Sequence, residues 1–135
     1  MFQTFDNFKK SPGFNLAAYD LGHAAEIALL GTLREALNDP TLDHLPAGHT
    51  FDYESPTRII ELKTRTHRRL CYPDTAIGAN KIKFARGTSK KAVFVFQFTD
   101  GLYAWRYNPA TVLRSAPLLG VPHYFIPTKL LIQLI

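Results

Sequence analysis

Apolar and polar positions alternate along this chain with two distinct periods. From Leu16 to Leu37, in LAAYDLGHAAEIALLGTLREAL, apolar residues recur every three to four places, the spacing of a helix that buries one side. Asn15 stands where an N-cap belongs, and Asn38-Asp39-Pro40 is a stop signal. Ile27, Leu30, Leu33 and Leu37 are expected to face the core. Gly22 and Gly31 are the weak points, since glycine costs roughly 1 kcal/mol relative to alanine inside a helix. Ser11-Pro12-Gly13 breaks the aromatic N-terminal piece that precedes it.

Two extended runs follow, HTFDYE over 49–54 and RIIELKTR over 58–65, joined by Ser55-Pro56-Thr57 at hairpin length. Strand alternation predicts Phe51 and Tyr53 on one face with Asp52 and Glu54 on the other, and Glu61 with Lys63 opposite Ile60 and Leu62. A loop through Tyr72-Pro73-Asp74-Thr75 leads to a basic helix over Ala76 to Arg86, ended by Gly87. KAVFVFQF (91–98) is the most apolar run, and Asp100-Gly101 turns it into LYAWRY (102–107). The tail offers a short strand, HYFI (123–126), and Pro127-Thr128 opening a closing helix, KLLIQLI. Helix, two strands, helix, two strands is an α/β order with a mixed sheet.

Composition sharpens this picture only in part. With 135 residues, 46% of them hydrophobic, the chain is the size of one domain with a real core, so a single unit over 1–135 is expected. The formal charge of +5 is unevenly spread. Nine of the eleven acids lie in residues 1–61 against four bases, and twelve bases lie in residues 62–135 against two acids. A basic half of this kind favours a polyanionic partner. Cys71 is the only cysteine, which rules out an internal disulfide. Neither a signal-like apolar segment nor a run of membrane-spanning length is present, so a soluble intracellular protein is expected, with no membrane partner.

Candidate chemistry centres on the hairpin. Phosphodiester hydrolysis needs a hard dication, an activated water and positive charge beside the phosphorus oxygens. Asp52 and Glu61, on adjacent strands, supply carboxylate oxygens of the type Mg²⁺ or Mn²⁺ prefers. Lys63, two residues beyond Glu61 in a strand, points the same way and adds an ammonium. Glu54 shares the face of Asp52 and competes with it for the role. Between 62 and 91 there are nine bases and one acid, Asp74. Arg65, His67, Arg68 and Arg69, with Lys81 and Lys83 in the following helix, form the expected phosphate-contacting set, and Tyr72 is placed to stack on a base or sugar. Gly87-Thr88-Ser89-Lys90 lacks the spacing of a phosphate-binding loop. His44, His49, His67 and Cys71 match no familiar zinc spacing.

Together, Glu26 on the first helix, Asp52 and Glu61-Leu62-Lys63 resemble the PD-(D/E)XK superfamily of nucleases, and Gly22-His23-Ala24-Ala25-Glu26 resembles the Gly-x-x-x-Glu element of small Holliday-junction-resolvase-like and viral members. The Asp follows Phe51 rather than proline, and Asn80-Lys81 occupies the helix where many members carry glutamine. The resemblance spans about residues 14–107. It implies a restriction endonuclease-like fold with an α-β-β-α-β-β core. It also implies a Mg²⁺- or Mn²⁺-dependent deoxyribonuclease, metal held by Asp52, Glu61 and Glu26, with Lys63 assisting the water. Two related expectations are a structure-selective junction resolvase, which requires a dimer to place two sites on opposing strands, and a non-catalytic DNA-binding protein that keeps the fold.

Overall fold

A computed structural model describes residues 16–135, with side chains from residue 22 onward. The anticipated N-cap at Asn15 and the break at Ser11-Pro12-Gly13 lie outside the described residues.

Helix α1 (Leu16–Ala36) runs unbroken through both glycines, and Asn38 ends it in the left-handed region at φ 49°. Leu33 is fully buried, with Ala25, Leu29, Leu30 and Leu37 packed around the same cluster. Ile27, expected in the core, is 61% exposed. At 100° per residue it sits about 120° around the helix from Leu33, outside the buried stripe.

The main sheet has six strands: β1 (Asp43–His44), β2 (Tyr53–Glu54), β3 (Arg58–Thr64), β5 (Lys91–Phe98), β6 (Gly101–Arg106) and β9 (Ile132–Gln133), in the order β1-β2-β3-β5-β6-β9. β3 and β5 are parallel, with Glu61 opposite Phe94, whereas the other pairs are antiparallel. Parallel neighbours need a long crossover. Here it contains a 3-10 turn (Arg69–Cys71), β4 (Asp74–Gly78) and helix α2 (Ala79–Gly87). Among the described residues the architecture is mixed α/β, as expected, with a mixed six-stranded sheet, a smaller three-stranded sheet and two helices. No described helix is long and apolar enough to cross a membrane.

Strand alternation splits the interior into two cores. Ile60, Leu62, Val93, Val95, Leu102 and Ala104 pack beneath α1 with Leu33, Leu42 and Tyr53. Ile59, Phe94, Phe96, Phe98, Tyr103 and Trp105 face the opposite way, against Ile82 and Ala85 of α2 and Ile77 of β4. Glu61 lies between Ile60 and Leu62 in sequence, so its side chain goes to this second side.

Several elements differ from expectation. The first hairpin strand is two residues long rather than six, and Phe51 and Tyr53 enter opposite cores instead of sharing a face. The chain bends through Phe51-Asp52, so strand alternation does not begin until Tyr53. Residues 76–78, assigned above to the basic helix, extend β4, because Thr75 and Ile77 alternate inward and pair with β8 (Val121–Pro127). β8 also pairs with β7 (Arg114–Leu118), which no apolar run announced, and the two join through Leu119-Gly120, both at positive φ. The closing helix is absent among the described residues. Thr128–Leu130 form a 3-10 turn and Ile132–Gln133 pair with Tyr103 and Ala104 of β6. Seven residues are too few for a helix to hold without tertiary support, and the open edge of β6 satisfies their backbone instead.

Asp39 fixes the passage from α1 to the hairpin. Its buried carboxylate accepts hydrogen bonds from Ser55 Oγ (2.7 Å), Arg58 Nη1 (3.1 Å) and Thr41 Oγ1 (3.2 Å). The Ser55 bond, which outweighs the upward push of burial, together with Arg58 and Thr41 holds its pKa below the usual range. Asp39→Ala is expected to cost about 2–3 kcal/mol, measured by urea unfolding at pH 7, because Arg58 and Ser55 lose their shared acceptor. A depressed folded pKa means that this stabilisation is complete above the ordinary carboxylate value and fades as pH falls through the lowered one. The penalty should therefore shrink in acid.

Candidate metal and phosphodiester site

Three hydrogen bonds hold Asp52 at the bend. Its amide donates to Ile60 O (2.9 Å), its carbonyl accepts from Leu45 N (2.8 Å), and its Oδ2 accepts from the amide of Leu62 at 2.7 Å. The carboxyl is thereby pinned against β3, beside Glu61. Glu61 is 2% exposed, and its Oε2 lies 3.4 Å from Lys63 Nζ and 3.3 Å from Lys81 Nζ. Its other oxygen, Oε1, is buried and accepts from no backbone or side-chain N–H among the described residues. Lys81 reaches in from the first turns of α2, where its ammonium also donates to Thr50 O.

The electrostatics follow from this geometry. Burial, then the charge of Glu61 and a hydrogen bond with it, push the Asp52 carboxyl up to about 10. Burial also acts upward on Glu61, but Lys63 and Lys81, with the Asp52 hydrogen bond, pull it below its ordinary value. At neutral pH the two groups hold one proton between them, carried on the Asp52 side because both lysines serve Glu61. A pair of buried acids this close, obliged to share a proton, is the arrangement a hard dication relieves, since two carboxylates and water match its ligand preference.

The hairpin separates Asp52 from Glu54. Glu54 is exposed and ion-paired to Lys90 at 3.0 Å, and Lys90 also donates to Ser55 O at 2.9 Å, so both belong to the turn. Glu26 projects from α1 on the other side of the sheet. Its Oε2 lies 2.8 Å from His44 Nε2, its backbone carbonyl accepts from the hydroxyl of buried Tyr53, and Asp52 feels its charge. Glu26 is close enough to act on Asp52 but is bonded to a different partner.

The basic segment divides into inward and outward groups. Arg65, expected at the phosphate, is turned into the protein, where Nε donates to Thr75 Oγ1 (3.1 Å), Nη2 donates to Ala76 O (2.5 Å), and the guanidinium lies over Phe96. It ties β3 to β4. Arg69 lies over the Tyr103 ring at 4.8 Å, with Nη1 3.4 Å from Thr128 O. His67 is half-buried edge-on to Tyr72 and against Phe98. Arg68 and Lys83 are exposed, as is Tyr72 at 57%. Lys81, assigned above to backbone contact, is instead part of the carboxylate cluster. The sequence held one hint of this, a lysine three residues into a helix that follows Glu-x-Lys. His44 was missed as a partner of Glu26, since 18 residues and a loop separate them with no local signal.

Comparison with protein-family models, curated proteins and solved structures finds no match to this chain.

Proposed function

We propose that the chain is a metal-dependent deoxyribonuclease of the PD-(D/E)XK type, acting as an endonuclease. The observation that carries this reading is the convergence of Asp52, Glu61 and Lys63, with the two buried acids obliged to share a proton. The order α1, β2, β3, α2, β5, β6, antiparallel across the hairpin and parallel across the crossover, is consistent with a restriction endonuclease-like core.

Asp52 and Glu61 would hold Mg²⁺ or Mn²⁺, which supplies Lewis acidity toward the phosphate and acidifies a bound water. To hold the dication Asp52 would have to release the shared proton to solvent. Lys63, 37% exposed, borders solvent and is placed to stabilise negative charge as water attacks phosphorus and the P–O bond to the leaving oxygen breaks. Lys81, from α2, pairs with the same Glu61 oxygen as Lys63 and helps fix its orientation. Arg68 and Lys83 contact flanking phosphates, and Tyr72 stacks on an exposed base or sugar.

The test is cleavage of plasmid, linear, single-stranded and four-way-junction DNA with Mg²⁺ or Mn²⁺. Asp52→Ala and Lys63→Ala should each lose at least about 100-fold in rate, the scale of removing one charge-stabilising group. Glu54→Ala should stay within about twofold of the parent. Activity persisting in both site variants would sink the assignment, and salt-sensitive binding without cleavage or metal affinity would identify a non-catalytic DNA-binding protein.

A further inference from the structure

His23, Glu26 and His44 bring three ligand atoms within 4.8 Å of one another, outside the Asp52–Glu61 pair. Glu26 and His23 are three residues apart on α1 and so share one side of the helix, with His23 Nδ1 3.8 Å from Glu26 Oε2. β1 delivers His44 from across the intervening loop, with Nε2 2.8 Å from the same oxygen. The two imidazoles meet edge-on at 5.8 Å between centroids. Glu26 and His44 are about one-fifth exposed and His23 two-fifths, so the cluster is half-sunk and reachable from solvent.

An ordinary helix-to-strand ion pair needs one histidine and one acid. Here a second imidazole converges on the same carboxylate, and the support behind it is rigid. Tyr53, fully buried, donates its hydroxyl to the Glu26 carbonyl and presents its ring edge-on to His44 at 5.6 Å. A tetrahedral zinc with bonds of about 2.0–2.1 Å sets its ligand atoms roughly 3.4 Å apart, so small side-chain rotations suffice to close the set.

We propose that His23, Glu26 and His44 form a second cation site, selective for a transition dication such as Zn²⁺ over Mg²⁺. Two imidazoles and one carboxylate suit zinc and its neighbours, whereas magnesium takes oxygen ligands and keeps its waters. Three protein ligands at a half-exposed position leave a fourth for water, the pattern of a reactive rather than a sealed zinc centre. The site shares Glu26 with the metal set that the nuclease resemblance implies, but it includes neither Asp52 nor Glu61, and its two imidazoles belong to no part of that reading.

Calorimetric titration of the full chain with Zn²⁺ in excess Mg²⁺ tests it, alongside histidine ring NMR. The parent should bind one Zn²⁺ with the His23 and His44 ring signals shifting, and Asp52→Asn should bind it equally well. His23→Ala and His44→Ala should each weaken binding at least about 100-fold, beyond what an outer-shell partner is usually worth. His23→Gln, on the more exposed ligand, guards against a folding defect and should show the same loss with an unchanged circular dichroism spectrum. Zn²⁺ binding that survives the histidine variants, that disappears in Asp52→Asn, or that Mg²⁺ displaces at similar concentration overturns the proposal, as does no binding by the parent. Cleavage activity enters none of these readouts, so failure of the nuclease reading leaves them intact.

Discussion

Asp52→Asn is expected to abolish metal-dependent cleavage while making the metal-free protein more stable. Asparagine preserves the acceptor for the Leu62 amide and can donate to Glu61 as the protonated carboxyl does, so it mimics the neutral form that the fold imposes on Asp52. The folded pKa, about 10, lies above the ordinary value of 3.8, so the folded chain binds the extra proton throughout the interval between them. Where the native state holds more protons than the unfolded state, stability falls with rising pH. The parent in chelator should therefore lose stability from about pH 4 upward, until Asp52 ionises in the folded state as well, and Asp52→Asn should not.

The advantage of the variant is expected to be smallest near pH 4 and to grow steadily toward pH 9, because the parent alone takes up a proton on folding throughout that interval. Saturating Mg²⁺ should reverse the ranking, raising the melting temperature of the parent and leaving the variant unmoved. Thermal melts at the two pH values, with chelator or Mg²⁺, check all four outcomes. A variant less stable than the parent at pH 9 in chelator would show that the Asp52 carboxyl is not held neutral. Loss of the charged oxygen from the metal set should lower the cleavage rate by about 1,000-fold or more.

Phe94→Ala should be the most destabilising single change in the sheet. Phe94 is fully buried in β5, stacks on Trp105 at 5.8 Å between centroids, packs on Phe51 at 5.6 Å, and is the register partner of Glu61. Truncating a buried phenylalanine removes its transfer energy and leaves a cavity, at about 3–5 kcal/mol. That is a large part of the roughly 5–15 kcal/mol that holds a typical domain together. Urea titration should show the midpoint falling with little change in slope, whereas Phe94→Leu should cost less than about 2 kcal/mol. Because the cavity opens beside Glu61, metal affinity of the Ala variant should fall even below the temperature at which it unfolds. A cost under about 1 kcal/mol would mean that the neighbours collapse into the space.

The carboxylate cluster also assigns different work to the two lysines. Lys63 comes from the strand of Glu61 itself and borders solvent, whereas Lys81 comes from α2 and is largely covered, with Thr50 O as a second partner. The position of α2 on the crossover therefore sets the charge on Glu61 from a part of the chain 20 residues away in sequence.

Short-range periodicity in the sequence was enough to determine α1, the length of the hairpin turn at Ser55–Thr57, β5 and its Asp100-Gly101 turn into β6. These elements depend on capping, turn chemistry and alternation among neighbours. The same alternation put Glu61 and Lys63 on one side of β3. Tertiary structure decided what depends on partners distant in sequence. The tail became β9 because β6 had an open edge, and residues 76–78 became strand because β8 was there to pair with them. Phe51 and Tyr53 parted because the chain bends at the position that carries Asp52. Only the assembled fold turned Arg65 inward, brought Lys81 to Glu61 and joined His44 to Glu26, since a side chain's partner is chosen by proximity in space and the desolvation of its charge, neither of which is written in local spacing.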